Sequence, residues 1–93
     1  FGVDHGIAAQ SILLGAAEKG LGGCMIGSVR RKELAETLGL PDRYEILLVL
    51  ALGKPGEKVV LEDIKGDDTK YWRDAAGVHH VPKRKLDDVI VKL

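Results

Sequence analysis

Between Ile7 and Ala17 the chain carries apolar residues almost all the way round a helix: Ile7, Ala8, Ala9, Ile12, Leu13, Leu14, Ala16 and Ala17, with Gln10 and Ser11 interrupting the coat. The spacing predicts a helix capped by Asp4 and running to about Lys19. A helix that is apolar on nearly every side is expected to be buried on most of them. Its alanines and Gly15 allow neighbours to approach closely. Gln10 and Ser11 fit two readings, a satisfied polar pair in the core or a contact with a ligand or subunit. With 93 residues the chain is one small domain or part of one. A core of that size supplies only a few kcal/mol, so this helix calls for more chain or a partner subunit. The start at Phe1-Gly2-Val3, without Met and almost inside the helix, leads us to expect a piece of a longer chain.

The next stretch, Gly20-Leu21-Gly22-Gly23-Cys24-Met25-Ile26-Gly27-Ser28, places four glycines within eight residues. Gly20 fits the position just past a helix end. Gly22, Gly23 and Gly27 are open to two explanations: a ligand that approaches the backbone, or a tight crossing of helix and strand that needs small residues. Ser28 reads as the cap of the following helix, and a helix start behind small residues can receive an anion or a flat ring. Neither GxGxxG nor GxxxxGK[ST] is present, which removes the dinucleotide fingerprint and the P-loop.

Composition excludes several classes. Hydrophobic residues make up 45% and charged residues 30%, so a packed structure is expected rather than disorder. The formal net charge is zero, which argues against nucleic acid or a membrane surface as a partner recruited by bulk charge. The single cysteine excludes an internal disulfide and a cysteine-based zinc site, and fits a reducing, cytoplasmic setting. Neither a signal peptide nor an apolar run of the roughly 18 residues a membrane helix needs is seen.

Further along, Cys24-Met25-Ile26 reads as a short buried strand, with Cys24 a small buried residue rather than a redox thiol. Arg30 to Leu38 reads as a second helix with Leu34, Ala35 and Leu38 on one face, ended by Gly39 and Leu40-Pro41. Its run Arg30-Arg31-Lys32 is a solvated face or a binding patch. Tyr44 to Leu52 reads as a central strand, apolar on both sides, stopped by Gly53-Lys54-Pro55-Gly56. Val59-Val60-Leu61 is a short extended piece and Glu62 to Thr69 a surface loop. Lys70 to Asp74 and Val78 to Val81 read as a hairpin about Ala75-Ala76-Gly77, with Gly77 in the left-handed position. Tyr71 and Trp72 are expected to cover a small core. His79 and His80 are adjacent, so in a strand they face opposite sides and cannot readily hold one metal ion; His5 is distant in sequence. Lys83-Arg84-Lys85 can neutralise a phosphate or form a solvated basic loop. Leu86 to Leu93 is a short helix or an extended tail. No Ser/His/Asp order, paired catalytic carboxylates or HExxH helix is present, so chemistry, if there is any, is expected to belong to a cofactor.

Three stretches together resemble one family. The first runs from Asp4-His5-Gly6 through Ala16-Ala17 into Gly20-Leu21-Gly22-Gly23-Cys24-Met25-Ile26-Gly27. The second is Leu38-Gly39-Leu40-Pro41 with Tyr44-Glu45-Ile46-Leu47 and Leu50-Ala51-Leu52-Gly53-Lys54-Pro55. The third is Val81-Pro82-Lys83-Arg84-Lys85-Leu86-Asp87-Asp88-Val89-Ile90. In this order they look like the C-terminal half of a nitroreductase-family flavoprotein, with residues 1–93 the C-terminal part of a single domain. The family's N-terminal Arg-Ser-x-Arg-type motif has no counterpart here.

The resemblance implies an α+β fold, a mixed, mainly antiparallel sheet flanked by helices, and an intertwined homodimer holding FMN at its interface. It implies an oxidoreductase in which NAD(P)H reduces FMN and a nitroaromatic, quinone or similar small-molecule acceptor takes the electrons. It places the flavin ring beside the backbone of Met25, Ile26, Gly27 and Ser28, with the Gly27 amide donating towards the flavin N5 region. It places the FMN phosphate on Lys83, Arg84 and Lys85, with Arg84 first because its fork suits phosphate. The alternatives are a non-catalytic dimerisation module that holds no flavin, and a flavoprotein with other chemistry, such as flavin cleavage or dehalogenation.

Overall fold

The computed structural model describes residues 2–93, and the chain divides into two compact units, the first ending at Pro55 and the second running Gly56–Leu93. Each follows the α+β pattern of short helices and small sheets. The sheets are separate, one of two strands in the first unit and one of three in the second, rather than a single sheet.

In the first unit α1 spans Asp4–Glu18, β1 Gly22–Ile26, α2 Arg31–Leu38 and β2 Val49–Gly53. Asp4 is the first helical residue and not the cap; Val3 holds that position without a side-chain bond. Asp4 still sits where the positive end of the helix dipole favours a carboxylate. Gly20 ends α1 as expected. With φ of 75° it lets its own N–H reach Ala17 O at 3.0 Å and the Leu21 N–H reach Ala16 O at 2.9 Å. Gly39 repeats this at the end of α2, with φ of 63° and bonds from Gly39 to Glu36 O and from Leu40 to Ala35 O. Both are the paired closure that a left-handed residue makes possible at a helix C-terminus.

The stripe Ala9, Leu13, Ala16 of α1 turns towards β1, and Ala9 and Ala16 are its buried residues. The rest of the coat is not covered: Ile7 is 64% and Leu14 62% exposed. The expectation of a helix buried on most sides is therefore not met among the described residues: β1 and the segment 45–50, which shares a cleft with His5, Ala8, Ala9 and Ile12, leave Ile7 and Leu14 exposed.

β1 pairs antiparallel with β2, Gly22 opposite Gly53 and Ile26 opposite Val49. The expected strand over Tyr44–Leu52 is realised only from Val49. β1 offers five partners, and the Ile46 and Leu47 carbonyls upstream are taken by a side chain instead of a neighbouring strand. A two-stranded sheet also leaves β2 at an edge rather than in a centre.

In the second unit β3 spans Val59–Asp63, β4 Trp72–Arg73, β5 His79–Lys83 and α3 Leu86–Val89. The strand order is β3-β5-β4, with β3 parallel and β4 antiparallel to β5. The β4–β5 hairpin turns where expected. Asp74 exchanges backbone bonds with Val78 and Gly77, its Oδ1 accepts the N–H groups of Ala76 and Val78, and Gly77 adopts φ of 78°. Among the described residues no helix is long and apolar enough to cross a membrane.

Candidate functional site

The glycines after α1 have different reasons. A Cβ on Gly23 would run into Leu13 Cδ2 and come within 2.8 Å of Leu52 Cδ2. Gly23 is therefore the tight crossing of helix and strand, and its small size serves the protein's own packing. Gly27 is the opposite case: a Cβ there meets nothing within 4 Å. Gly27 and Ser28 are exposed, follow the last residue of β1 and precede α2. Among the described residues no hydrogen bond from the Gly27 or Ser28 N–H is found. Met25, 41% exposed, and half-buried Ile26 lead into them. Gly27 and Ser28 thus offer free backbone donors just past the end of the strand, while Met25 and Ile26 are paired with Leu50 and Val49.

Two expectations for this stretch are corrected. Ser28 does not cap α2; Arg30 occupies that position without a side-chain bond, because the helix begins three residues beyond Ser28. Cys24 is exposed rather than buried. The alternation that turns Gly23 towards Leu13 turns Cys24 to the other face of β1, which is left uncovered.

What holds the stretch is Arg31, the first residue of α2 and the middle one of the run Arg30-Arg31-Lys32. Its Nη2 donates to Gly27 O at 2.9 Å and to Leu47 O at 3.3 Å, and its Nε donates to Ile46 O at 2.9 Å. The guanidinium fork thereby ties the loop after β1 to the segment entering β2. Nothing in the triplet Arg30-Arg31-Lys32 distinguishes its middle member, since the three carbonyls are fixed only by the fold. Among the described residues Arg30 reaches only Glu33, at 3.4 Å.

The basic residues 83–85 lie in the second unit. Lys83 ends β5, opposite Asp63, and Arg84 and Lys85 follow. Arg84 Nη2 lies 3.1 Å from Asp67 Oδ1, and Lys85 Nζ 3.6 Å from Asp63 Oδ2. Among the described residues Lys83 has no ion pair. Asp67 is 94% exposed, so its pairing with Arg84 is a solvated surface contact of about 0–1 kcal/mol that an incoming phosphate could displace. In the first unit the backbone at Gly27 is open, and in the second unit residues 83–85 carry cations accessible to an anion.

The second unit also holds an arrangement that sequence spacing did not suggest. His80 Nδ1 lies 2.7 Å from Glu62 Oε1, and its Nε2 lies 2.9 Å from Asp74 Oδ2. Both ring nitrogens face carboxylate acceptors, which only the doubly protonated imidazolium can satisfy. Asp74 first and Glu62 second raise the pKa of His80 above its ordinary value. The His80 bond, helped by the Val78 and Ala76 N–H groups, lowers that of Asp74. Trp72, directly opposite on β4, stacks on the ring with centroids 4.9 Å apart. The two histidines do face opposite sides: His79 turns to Glu57 at 3.5 Å and to Tyr71. Arg73 pairs with the same Glu57 and lowers its pKa. Tyr71 and Trp72 are exposed; Trp72 stacks on His80 and Tyr71 meets His79 at a tilt, instead of covering a core. Among the described residues no cluster of three metal-ligating side chains occurs.

Comparison with known proteins gives two findings. The model of the Nitroreductase family matches residues 2–54, more than half of the chain. The chain is 44% identical over 57 residues to the NADPH-flavin oxidoreductase of Vibrio harveyi, an alignment that takes in 59% of this chain and 24% of that protein. The chain thus spans about a quarter of the length of that relative. The family match includes residues 25–28 and leaves residues 83–85 outside.

Proposed function

The chain belongs to the nitroreductase family, and from that premise we propose that it is the C-terminal part of a single FMN-dependent oxidoreductase domain working in the cytoplasm. FMN, when bound, supplies the redox chemistry, taking two electrons from NAD(P)H as a hydride and passing them to a nitroaromatic, quinone or similar acceptor.

The observation that carries the reading is the open, unbonded backbone at Gly27, inside the segment the family model matches. An N–H held there stabilises negative charge on a reduced ring, and the missing side chain permits close approach. Met25 and Ile26 flank that approach with apolar side chains, and Ser28 adds a second free N–H. Lys83, Arg84 and Lys85 bind the phosphate, with Arg84 supplying the bidentate contact. The relative's name specifies NADPH and a flavin, which supports NADPH as donor.

The same reading makes the protein a homodimer. Ile7 and Leu14 leave an apolar surface on α1 that is exposed among the described residues, and a second copy would bury it.

The test is titration of the full-length protein with FMN, followed by flavin fluorescence and by NADPH oxidation with a quinone acceptor. Quenching on binding, with flavin-dependent oxidation, supports the oxidoreductase. A dimer that takes up no FMN supports the non-catalytic dimerisation module instead.

A further inference from the structure

We propose that Arg31 is a positioning residue for the flavin: its guanidinium sets the direction in which the Ser28 N–H, just after β1, points. This inference rests on the flavin reading above. The peptide joining Gly27 to Ser28 is trans, as are all peptides described. In a trans peptide the C=O and N–H point in opposite directions. Arg31 Nη2 and the Val29 N–H both hold the Gly27 oxygen, at 2.9 and 3.2 Å. Fixing that oxygen towards Arg31 turns the Ser28 N–H away from it, into the side where no protein acceptor is found among the described residues.

Residues 27–30 belong to neither helix nor strand, so no ladder would otherwise fix this peptide plane. The same guanidinium holds Ile46 O and Leu47 O, so the loop is braced against the segment that leads into β2. Arginine suits the task, since it is always charged and presents several donors in a planar fork. Lysine would bring one ammonium on a flexible stem and could not span the same three oxygens. Arg30 shares the charge but not the contacts.

The consequence is specific to redox state. A directed N–H interacts more strongly with reduced flavin, which carries negative charge, than with oxidised flavin. A merely structural role would weaken both forms alike. The experiment compares wild type, Arg31→Met, Arg31→Lys and Arg30→Gln in the full-length protein, with FMN as the probe. It reads the dissociation constants of oxidised and reduced FMN and the midpoint potential of the bound flavin.

In Arg31→Met, reduced FMN is expected to lose about tenfold more affinity than oxidised FMN, which lowers the two-electron midpoint potential by about 30 mV. Arg31→Lys should fall between the two, and Arg30→Gln should match wild type. If Arg31→Met does not fold, Arg31→Lys is read in its place. A variant that folds, binds FMN and keeps the wild-type potential overturns the role of Arg31 while leaving the flavin reading intact. Wild type that binds no FMN overturns the flavin reading and the inference with it.

Discussion

Gly23 and Gly27 are four residues apart and have opposite reasons for being glycine, so the same substitution should act on them with opposite sign. In Gly23→Ala the added methyl group runs into Leu13 Cδ2, comes within 2.8 Å of Leu52 Cδ2 and lies 3.4 Å from the Ala51 carbonyl oxygen. Each leucine methyl can rotate alone, but Leu13 belongs to α1 and Leu52 to β2, and the carbonyl cannot rotate away. Overpacking of this kind costs about 1–3 kcal/mol. Against it stands the gain from a less flexible unfolded chain, about 0.4–1 kcal/mol. From the middle of the two ranges the net expectation is a loss of about 1.3 kcal/mol. In Gly27→Ala the methyl group meets nothing within 4 Å and the φ angle is not in the left-handed region, so only the gain remains. Thermal unfolding of the full-length protein, followed by circular dichroism, separates the two. Gly23→Ala should melt below wild type and Gly27→Ala at or above it. The same Gly27→Ala protein should bind FMN more weakly, because the methyl group occupies the open side of the backbone. A Gly23→Ala protein as stable as wild type, or a Gly27→Ala protein destabilised to the same degree, would refute the assignment of the close approach to Gly23 alone.

Arg84→Ala should weaken FMN binding by about 1.5–3 kcal/mol, the range for a lost charge-assisted hydrogen bond, as measured by fluorescence titration; an unchanged dissociation constant removes Arg84 from the phosphate site. His80 should make stability depend on pH. Its pKa is raised by Asp74 and Glu62, so its contribution is complete below its ordinary value of 6.5 and is lost as pH rises through the raised value. Asp74, with its pKa lowered, contributes above its ordinary value of 3.8 and is lost as pH falls through the lowered one. Urea unfolding of wild type and His80→Gln should therefore differ most between pH 3.8 and 6.5 and converge on the alkaline side; a difference independent of pH contradicts the imidazolium bridge. Gly77→Ala should destabilise the hairpin by about 1–2 kcal/mol, since a φ of 78° is unfavourable for a residue with a Cβ; hydrogen exchange at Asp74 and Val78 that matches wild type would contradict it.

The features written locally in the chain were legible. Gly20, Gly39 and Gly77 end their elements as glycines do because the left-handed conformation is a property of one residue. The hairpin around residues 75–77 follows from turn chemistry within five positions. What the sequence left open depends on distant partners. The run Tyr44–Leu52 has strand character throughout, but only Val49 onwards meets β1, and Arg31 takes the carbonyls before it. Arg31 itself was indistinguishable from its charged neighbours, because three backbone oxygens from two segments make it special. The apolar coat of α1 predicted burial that the described residues supply in part, Ile7 and Leu14 staying exposed. The parallel pairing of β3 with β5 leaves no local mark. Within the candidate site only the family resemblance singled out Gly27 and the basic triplet, their spacing leaving both open, and separating Gly23 from Gly27 required knowing which of them faces Leu13.

The most direct test of the central claim is the visible absorption spectrum of the full-length protein after FMN is added and unbound flavin removed. The account predicts a retained flavin band in wild type, diminished in Arg84→Ala and in Gly27→Val. A colourless wild-type protein would contradict it.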